Sequence, residues 1–147
     1  MGRMVYTQID VTLASDATQD IWSLMAPAGN KLVLHGWELT STAVAASVID
    51  INLHFISAVG SVGATATEVK ADNGDDGTII GSVRTEDTTP GTPSGALMSY
   101  SWEQLGPVGH IFTPEMRPVI DISTGIALTC NTAATPTLSG WICWEEL

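Results

Sequence analysis

Val48-Ile49-Asp50-Ile51-Asn52-Leu53-His54-Phe55 is the most regular segment of this 147-residue chain. From Ile49 onward every second residue is apolar, and the residues between them are Asp, Asn and His. An alternation with a period of two places the apolar side chains on one face of an extended strand and the polar ones on the other. The segment therefore predicts a β-strand with one face in a hydrophobic core.

Several other segments are extended in the same way. Fourteen Gly and seven Pro lie mainly between them, where these residues are typical of turns. No stretch has the apolar period and cap of a surface helix, although a short helix at residues 16–24 stays an alternative. About eight short strands separated by turns predict an all-β sandwich or barrel. Besides 48–55, the predicted strands are residues 5–13, 31–39, 96–103, 119–122, 126–130 and 138–144.

The chain has the length of one domain, and residues 1–147 are expected to form a single β-sandwich, since compact folds contain ~100–200 residues per domain. Its least regular part is a long connection at residues 58–95, and residues 68–87 hold six of the sixteen acidic residues. Connections this long are commonly functional or flexible, and short strands at 65–69 and 78–83 would divide this one. Residues 1–7 form either an N-terminal arm or the beginning of the first strand.

The charge composition excludes several function classes. Charged residues make up 14% of the chain, and five Lys and Arg against sixteen Asp and Glu give a net charge of −11. Five scattered basic residues do not provide the phosphate contacts of a nucleic-acid-binding protein, and the negative charge excludes a basic membrane-binding surface. Because no apolar span of about 20 residues occurs, and the N-terminal residues lack an apolar signal region, we expect a soluble protein.

The residues that commonly carry catalysis do not form a recognisable motif. His35, His54 and His110 are isolated, and no Gly-x-Ser-x-Gly nucleophile signature is present. We therefore expect no enzyme and no cofactor. A cupin-like metal enzyme, which would need a metal ion bound by His35 or His54, is the catalytic alternative.

The acidic segment Asp72-Asn73-Gly74-Asp75-Asp76-Gly77 resembles part of a calcium-binding loop. An EF-hand is excluded, because Gly74 stands at loop position three and Val83 at position twelve, where the bidentate Glu belongs. A looser ion site and an acidic glycine-rich turn both remain open. Cys130 and Cys143 are either buried free thiols or a disulfide pair between two strands of a hairpin.

Five of the nine aromatic residues are Trp. Exposed Trp side chains on a β-sandwich could stack on sugar rings, whereas buried ones would form a core or an oligomer interface. In the last predicted strand, Trp141 and Cys143 share one face and Ile142 and Trp144 the other, so both faces are apolar. A strand that is covered on both sides favours the core-and-interface interpretation, with Trp102, Trp141 and Trp144 as the candidate interface residues.

The order of these features resembles the trimeric jelly-roll head decoration (cement) proteins of tailed bacteriophages and, more broadly, tumour-necrosis-factor-like jelly rolls. The resemblance extends over most of the chain from about Lys31. It lies in the order of these segments and not in a diagnostic motif. The matching segments are residues 32–39 and 49–56, the connection rich in Gly, Thr and Asp, Phe112-Thr113-Pro114-Glu115, Pro118-Val119-Ile120-Asp121, Gly125-Ile126-Ala127-Leu128 and Gly140-Trp141-Ile142-Cys143-Trp144-Glu145-Glu146.

This resemblance implies a jelly-roll-like antiparallel β-sandwich that forms a homotrimer, binds the major capsid protein on the outside of the head, and stabilises the capsid. The protein would be made in the host cytoplasm and reside on the virion surface, with neither nucleic acid nor membrane as a partner. Arg3, Met4, Val5 and Tyr6 are the candidate capsid contacts. A carbohydrate-binding or receptor-recognition module on the same scaffold is the alternative function.

Overall fold

The computed structural model describes residues 2–14, 17–132 and 135–147, which form one rigidly layered array of β-strands. One turn of 3-10 helix, at Pro114–Met116, interrupts the strands and is far too short to cross a bilayer. The twelve strands of the described residues are β1 (Arg3–Thr12), β2 (Ala17–Met25), β3 (Leu32–Ser41), β4 (Val48–Ala58), β5 (Ala64–Thr65), β6 (Glu68–Lys70), β7 (Ser82–Asp87), β8 (Thr92–Glu103), β9 (Val108–Ile111), β10 (Val119–Ile120), β11 (Gly125–Thr132) and β12 (Thr137–Glu146).

The strands form two antiparallel sheets that pack face to face as a sandwich. In sheet A the order is β10-β3-β12-β1-β6, with β9 also paired to β3, and in sheet B it is β5-β7-β2-β11-β4-β8. Among the main strands, β1, β3, β9, β10 and β12 belong to sheet A, and β2, β4, β8 and β11 to sheet B. The chain passes to the other sheet after each of β1, β2, β3, β8, β10 and β11, whereas β4 and β8 are neighbours in sheet B. This is the winding of a jelly roll, and the predicted all-β sandwich is confirmed.

Residues 2–14, 17–132 and 135–147 contain twelve strands, so the expectation of about eight was wrong. Three strands, β5, β6 and β7, lie in the 58–95 connection. β5 and β6 overlap the short strand expected at 65–69, and β7 begins at Ser82, near the end of the one expected at 78–83. β9 and β10 pair in succession with the same strand, β3, and so act as one interrupted edge strand. Strands of two or three residues are too short to show an alternating pattern.

Residues 17–25 form a strand, so the alternative of a short helix at 16–24 was wrong for residues 17–24. Residue 16 lies outside the described residues. The polar residues Asp20 and Ser23 are buried on the outer side of sheet B. Ile21 is an extra residue opposite β11, because Leu128 pairs with Trp22 and Thr129 with Asp20. Burial of both faces and this β-bulge remove the alternation on which a sequence prediction depends.

The core fills the space between the two sheets, and Trp22, Trp37 and Trp144 are fully buried in it. A β-bulge in β3 shapes this core, because Cys143 pairs with Gly36 while Trp144 pairs with Leu34. The bulge allows both Leu34 and Trp37 to point inward.

Candidate functional site

The outer face of sheet A carries a row of apolar and glycine residues that crosses five strands. Tyr6 of β1 pairs with Val69 of β6 on one side and with Cys143 of β12 on the other. Cys143 pairs with Gly36 of β3, which pairs in turn with Ile111 of β9. Cross-strand partners point to the same face of a sheet, so the row is continuous.

Met4 and Trp141 extend this row along their strands, because each lies two residues from a member of it. Cys143 at the centre of the row is buried, whereas Ile111 is 75% exposed, Val69 60% and Tyr6 45%. A groove of about 300 Å³ opens between them, with Gly36 in its lining. We call this surface the sheet A patch; its members are Met4, Tyr6, Gly36, Val69, Ile111, Trp141 and Cys143.

Polar residues border the sheet A patch. Gln8 and Glu38 pair with Trp141 from either side and are exposed. On another border His35 Nε2 lies 3.1 Å from Glu145 Oε2, and Glu145 also accepts a 2.8 Å hydrogen bond from the Gly2 N–H. The bond from Gly2, together with that from His35, holds the pKa of Glu145 below its ordinary value. The patch therefore has an apolar centre and a polar rim.

The two cysteines are free thiols in different environments, and they do not form the disulfide that the sequence left open. Cys130 belongs to β11 of sheet B and lies in the core, where burial raises the pKa of its thiol to about 12. Cys143 belongs to β12 of sheet A and forms part of the floor of the groove. Burial also raises the pKa of Cys143.

Of the three Trp residues expected at an interface, Trp141 alone reaches the surface. Trp144 is fully buried among the core residues of its own chain. Trp102 is also buried, and its indole Nε1 donates a 2.7 Å hydrogen bond to the carbonyl oxygen of Gly106. Alternation in the last strand therefore assigned Trp141 and Trp144 to opposite faces correctly, but the second face packs on the core.

The four residues expected to contact a capsid lie in β1, which pairs with β12 and β6, so the described part of residues 1–7 is a strand of sheet A and not an arm. Met1 lies outside the described residues. Val5 is fully buried, and Arg3 is held by an ion pair to Glu146 at 2.9 Å. Met4 and Tyr6 point outward and belong to the sheet A patch.

Two cationic side chains of the same chain, Lys70 and Arg3, bond to the acidic loop at residues 72–77. Lys70 Nζ donates to the carbonyl oxygens of Asp75 and Gly77, the latter at 2.9 Å. The Arg3 guanidinium pairs with the Asp75 carboxylate and holds the pKa of that carboxyl below its ordinary value. Lys70 and Arg3 therefore already bond to oxygens of Asp75 and Gly77 that an ion would need as ligands, and the turn interpretation fits better than an ion site.

The three histidines lie in three separate environments. His35 borders the sheet A patch, whereas His54 is buried on the outer side of sheet B, 3.4 Å from the Thr129 hydroxyl. His110 lies on the inner side of sheet A beside Phe112, with ring centroids 4.5 Å apart. No two imidazoles are therefore placed to share a metal ion. Throughout the described ranges, no group of three or more His, Cys, Asp or Glu side chains is arranged to hold one.

A buried polar network on the outer side of sheet B was not predicted from the sequence. Asp20 is fully buried, and its carboxylate accepts hydrogen bonds from the Thr129 hydroxyl at 2.6 Å and from the Gly91 N–H at 2.7 Å. Burial raises the pKa of Asp20. Since Gly91 immediately precedes β8, the network fastens the end of the long connection to the sheet.

Asp87 is the cross-strand partner of Asp20 and is also fully buried. Arg84 donates two hydrogen bonds to its carboxylate, at 2.9 and 2.7 Å, in the bidentate geometry that favours Arg over Lys. In the sequence, nothing distinguishes Asp20 and Asp87 from other isolated acidic residues, so this arrangement of contacts was not predicted. Its contacts are all internal, so it positions the connection and is not open to a ligand.

Comparison of the chain with models of known protein families, with curated proteins and with solved structures found no match.

Proposed function

We propose that this protein is a structural subunit that assembles into a homotrimer through the sheet A patch and decorates the outside of a bacteriophage head. The observation that carries the proposal is the apolar row from Val69 to Ile111, which no described segment of the same chain covers. Contiguous exposed apolar surface is rare on soluble monomers and marks interaction sites. We propose that further copies of the chain cover this surface.

The anatomy of the patch supports association between copies. Interfaces commonly have an apolar centre rich in aromatic residues and a polar rim, and Tyr6 and Trp141 supply the aromatic residues here. Ile111 protrudes beside the groove, so one surface offers both a protrusion and a recess. Insertion of Ile111 into the groove of the next copy is a head-to-tail contact, which closes into a ring when three copies are related by rotation.

The charge distribution is compatible with self-association. No member of the sheet A patch is charged, although the chain carries a net charge of −11. Contact through this face would therefore keep most like charges apart, and repulsion between subunits would be weak at physiological ionic strength. The exposed carboxylates of Asp72 and Asp76 would stay on the outside of the assembly, where they favour solubility.

Decoration of a phage head rests on the resemblance to trimeric jelly-roll cement proteins. A cement protein needs a rigid scaffold, an oligomer that matches the local symmetry of the shell, and a surface that binds the major capsid protein. The sandwich and the proposed trimer would meet the first two requirements. An acidic outer surface would complement basic regions of a capsid, so binding is expected to weaken with added salt.

The test of this proposal is binding to empty heads of the phage that encodes the chain. Purified protein should cosediment with the heads to a saturating ratio and raise the temperature at which they disrupt. A folded Ile111→Asp variant should bind much more weakly, because a monomer loses the avidity of three linked contacts. Absence of any cosedimentation by the unmodified protein would end the claim of capsid decoration.

The groove also favours a second candidate function, carbohydrate recognition. Tyr6 and Trp141 flank a recess of about 300 Å³, and aromatic faces beside a recess are suited to stack on sugar rings. A glycan array would show saturable binding that Trp141→Ala abolishes and that Trp102→Phe, a change in the core, leaves intact. Such a result would displace the assembly proposal.

A further inference from the structure

The edge of β1 that faces away from β12 is partly open. β12 pairs with β1 over its whole length, from Arg3 to Thr12. On the other side, β6 pairs with Val5, Tyr6 and Thr7, and no other described strand continues along this edge. The edge at residues 8–12 is therefore without a neighbouring strand in the part of the chain that the structure describes.

The backbone groups of Gln8 and Asp10 point toward this open edge. Alternate residues of a strand direct their N–H and C=O groups to the same side. On this side the Met4 carbonyl accepts a 2.9 Å hydrogen bond from Ala71, and the Thr12 N–H donates a 2.6 Å hydrogen bond to Glu86 Oε1. The register between β1 and β12 contains no shift, so the intervening even-numbered residues have the same orientation.

A cleft of about 540 Å³ runs beside these residues. Residues 64–67 form its other wall, together with Thr85 and Glu86 of β7. The Ala66 N–H donates a 2.9 Å hydrogen bond to the Val83 carbonyl, so this wall is fastened to sheet B and does not approach β1. The space where a neighbouring strand would lie is therefore kept open by the fold.

The cleft is lined by two carboxylates, by neutral polar side chains, and by the apolar residues Ala64, Ala66 and Val69. Asp10 is exposed, Glu86 stands at the end where it bonds to Thr12, and no Lys or Arg is among the lining residues. A second copy of this chain would be a poor occupant, because it has a net charge of −11 and five basic residues. Charge complementarity favours a basic segment of a different protein.

We propose that the open edge of β1 binds an extended, Lys- or Arg-bearing segment of a partner protein by strand addition. The segment continues the line of β6, and its backbone pairs with the N–H and C=O groups of Gln8 and Asp10. Its basic side chains lie beside the carboxylates of Asp10 and Glu86. Val69 lines both the cleft and the sheet A patch, but the backbone groups that pair with the segment belong to Gln8 and Asp10, so the proposal does not require the trimer proposed above.

The experiment titrates the isotope-labelled full chain with an acetylated and amidated synthetic peptide in which Lys and Val alternate over seven residues. Saturable binding is expected, with slower hydrogen exchange at the Gln8 and Asp10 amides. The same peptide with N-methyl groups on alternate residues should bind at least about tenfold more weakly, since each lost backbone hydrogen bond contributes ~0.5–1.5 kcal/mol.

Charge variants complete the test. Asp10→Asn combined with Glu86→Gln should weaken binding of the Lys-Val peptide severalfold, whereas Asp76→Asn, at an exposed site outside the cleft, should leave it unchanged. Equal binding of the N-methylated peptide, unaltered exchange at Gln8 and Asp10, or no saturable binding would each overturn the proposal.

Discussion

Arg3 and Glu146 form an ion pair that joins the two ends of the chain, with 2.9 Å between Arg3 Nη1 and Glu146 Oε2. The Glu146 side chain is almost fully buried, and its other oxygen accepts hydrogen bonds from the backbone N–H groups of Ile80 and Gly81, at 2.7 and 2.8 Å. This carboxylate therefore joins β1 and β12 to the segment that leads into β7. Glu146 fastens this side of the sandwich together with Arg3, which also bonds to the Thr78 carbonyl oxygen at 2.6 Å.

Replacing Glu146 with Gln should lower the free energy of unfolding by about 1–2 kcal/mol, because charge-assisted hydrogen bonds to Arg3 and to two N–H groups become neutral or are lost. Denaturant unfolding followed by tryptophan fluorescence measures the change. Glu115→Gln, at an exposed position in the 3-10 turn, is the matched control and should stay within about 0.5 kcal/mol of the original protein. An unchanged midpoint for Glu146→Gln would contradict this role.

Val62 has a left-handed backbone conformation, with φ of 65°, and its side chain is 72% exposed. A β-branched residue at positive φ is strained, and little packing would be lost on its removal. Val62→Gly should therefore raise the free energy of unfolding by about 0.5–1 kcal/mol. Val44→Gly is the control: Val44 is also exposed but is not at positive φ, so this change should not stabilise the protein.

The lowered pKa of Glu145 predicts that the stability of the protein depends on pH. Its folded pKa lies below the ordinary value of 4.5, chiefly because the Gly2 N–H bonds to the carboxylate. The stabilising contribution is therefore complete above about pH 4.5 and is lost as the pH falls through the folded pKa. Between pH 5 and pH 3 the stability of Glu145→Gln should fall less than that of the original protein. Parallel stability curves for the two proteins would contradict the prediction.

The alternating segment at residues 48–55 was sufficient to predict the fold class, because a strand with one buried face retains its period of two. The strand at Ala17–Met25 was missed because the long connection covers its outer side and buries Asp20. That cover comes from residues about 70 positions further along the chain, as the bond from Gly91 shows. A local sequence pattern carries no information about contacts between residues so far apart in the chain.

The sheet A patch was predicted in part. Alternation placed Trp141 and Cys143 on a common face, but it did not reveal that Trp144 packs into the core of the same chain. Val69 and Ile111 come from strands of three and four residues, and their register with β1 and β3 decides that they join the patch. The register of short edge strands is set by tertiary packing, so the sequence gives no access to it.

Molar mass in solution tests self-association through the sheet A patch. Light scattering coupled to size-exclusion chromatography at micromolar concentration should give three times the 15.5 kDa mass of the chain. Ile111→Asp should give the mass of one chain with an unchanged melting temperature for the sandwich, because a buried unpaired charge disrupts an interface. Val44→Asp, at an exposed site outside the patch, should remain trimeric. A monomeric original protein, or a trimeric Ile111→Asp variant, would contradict the account.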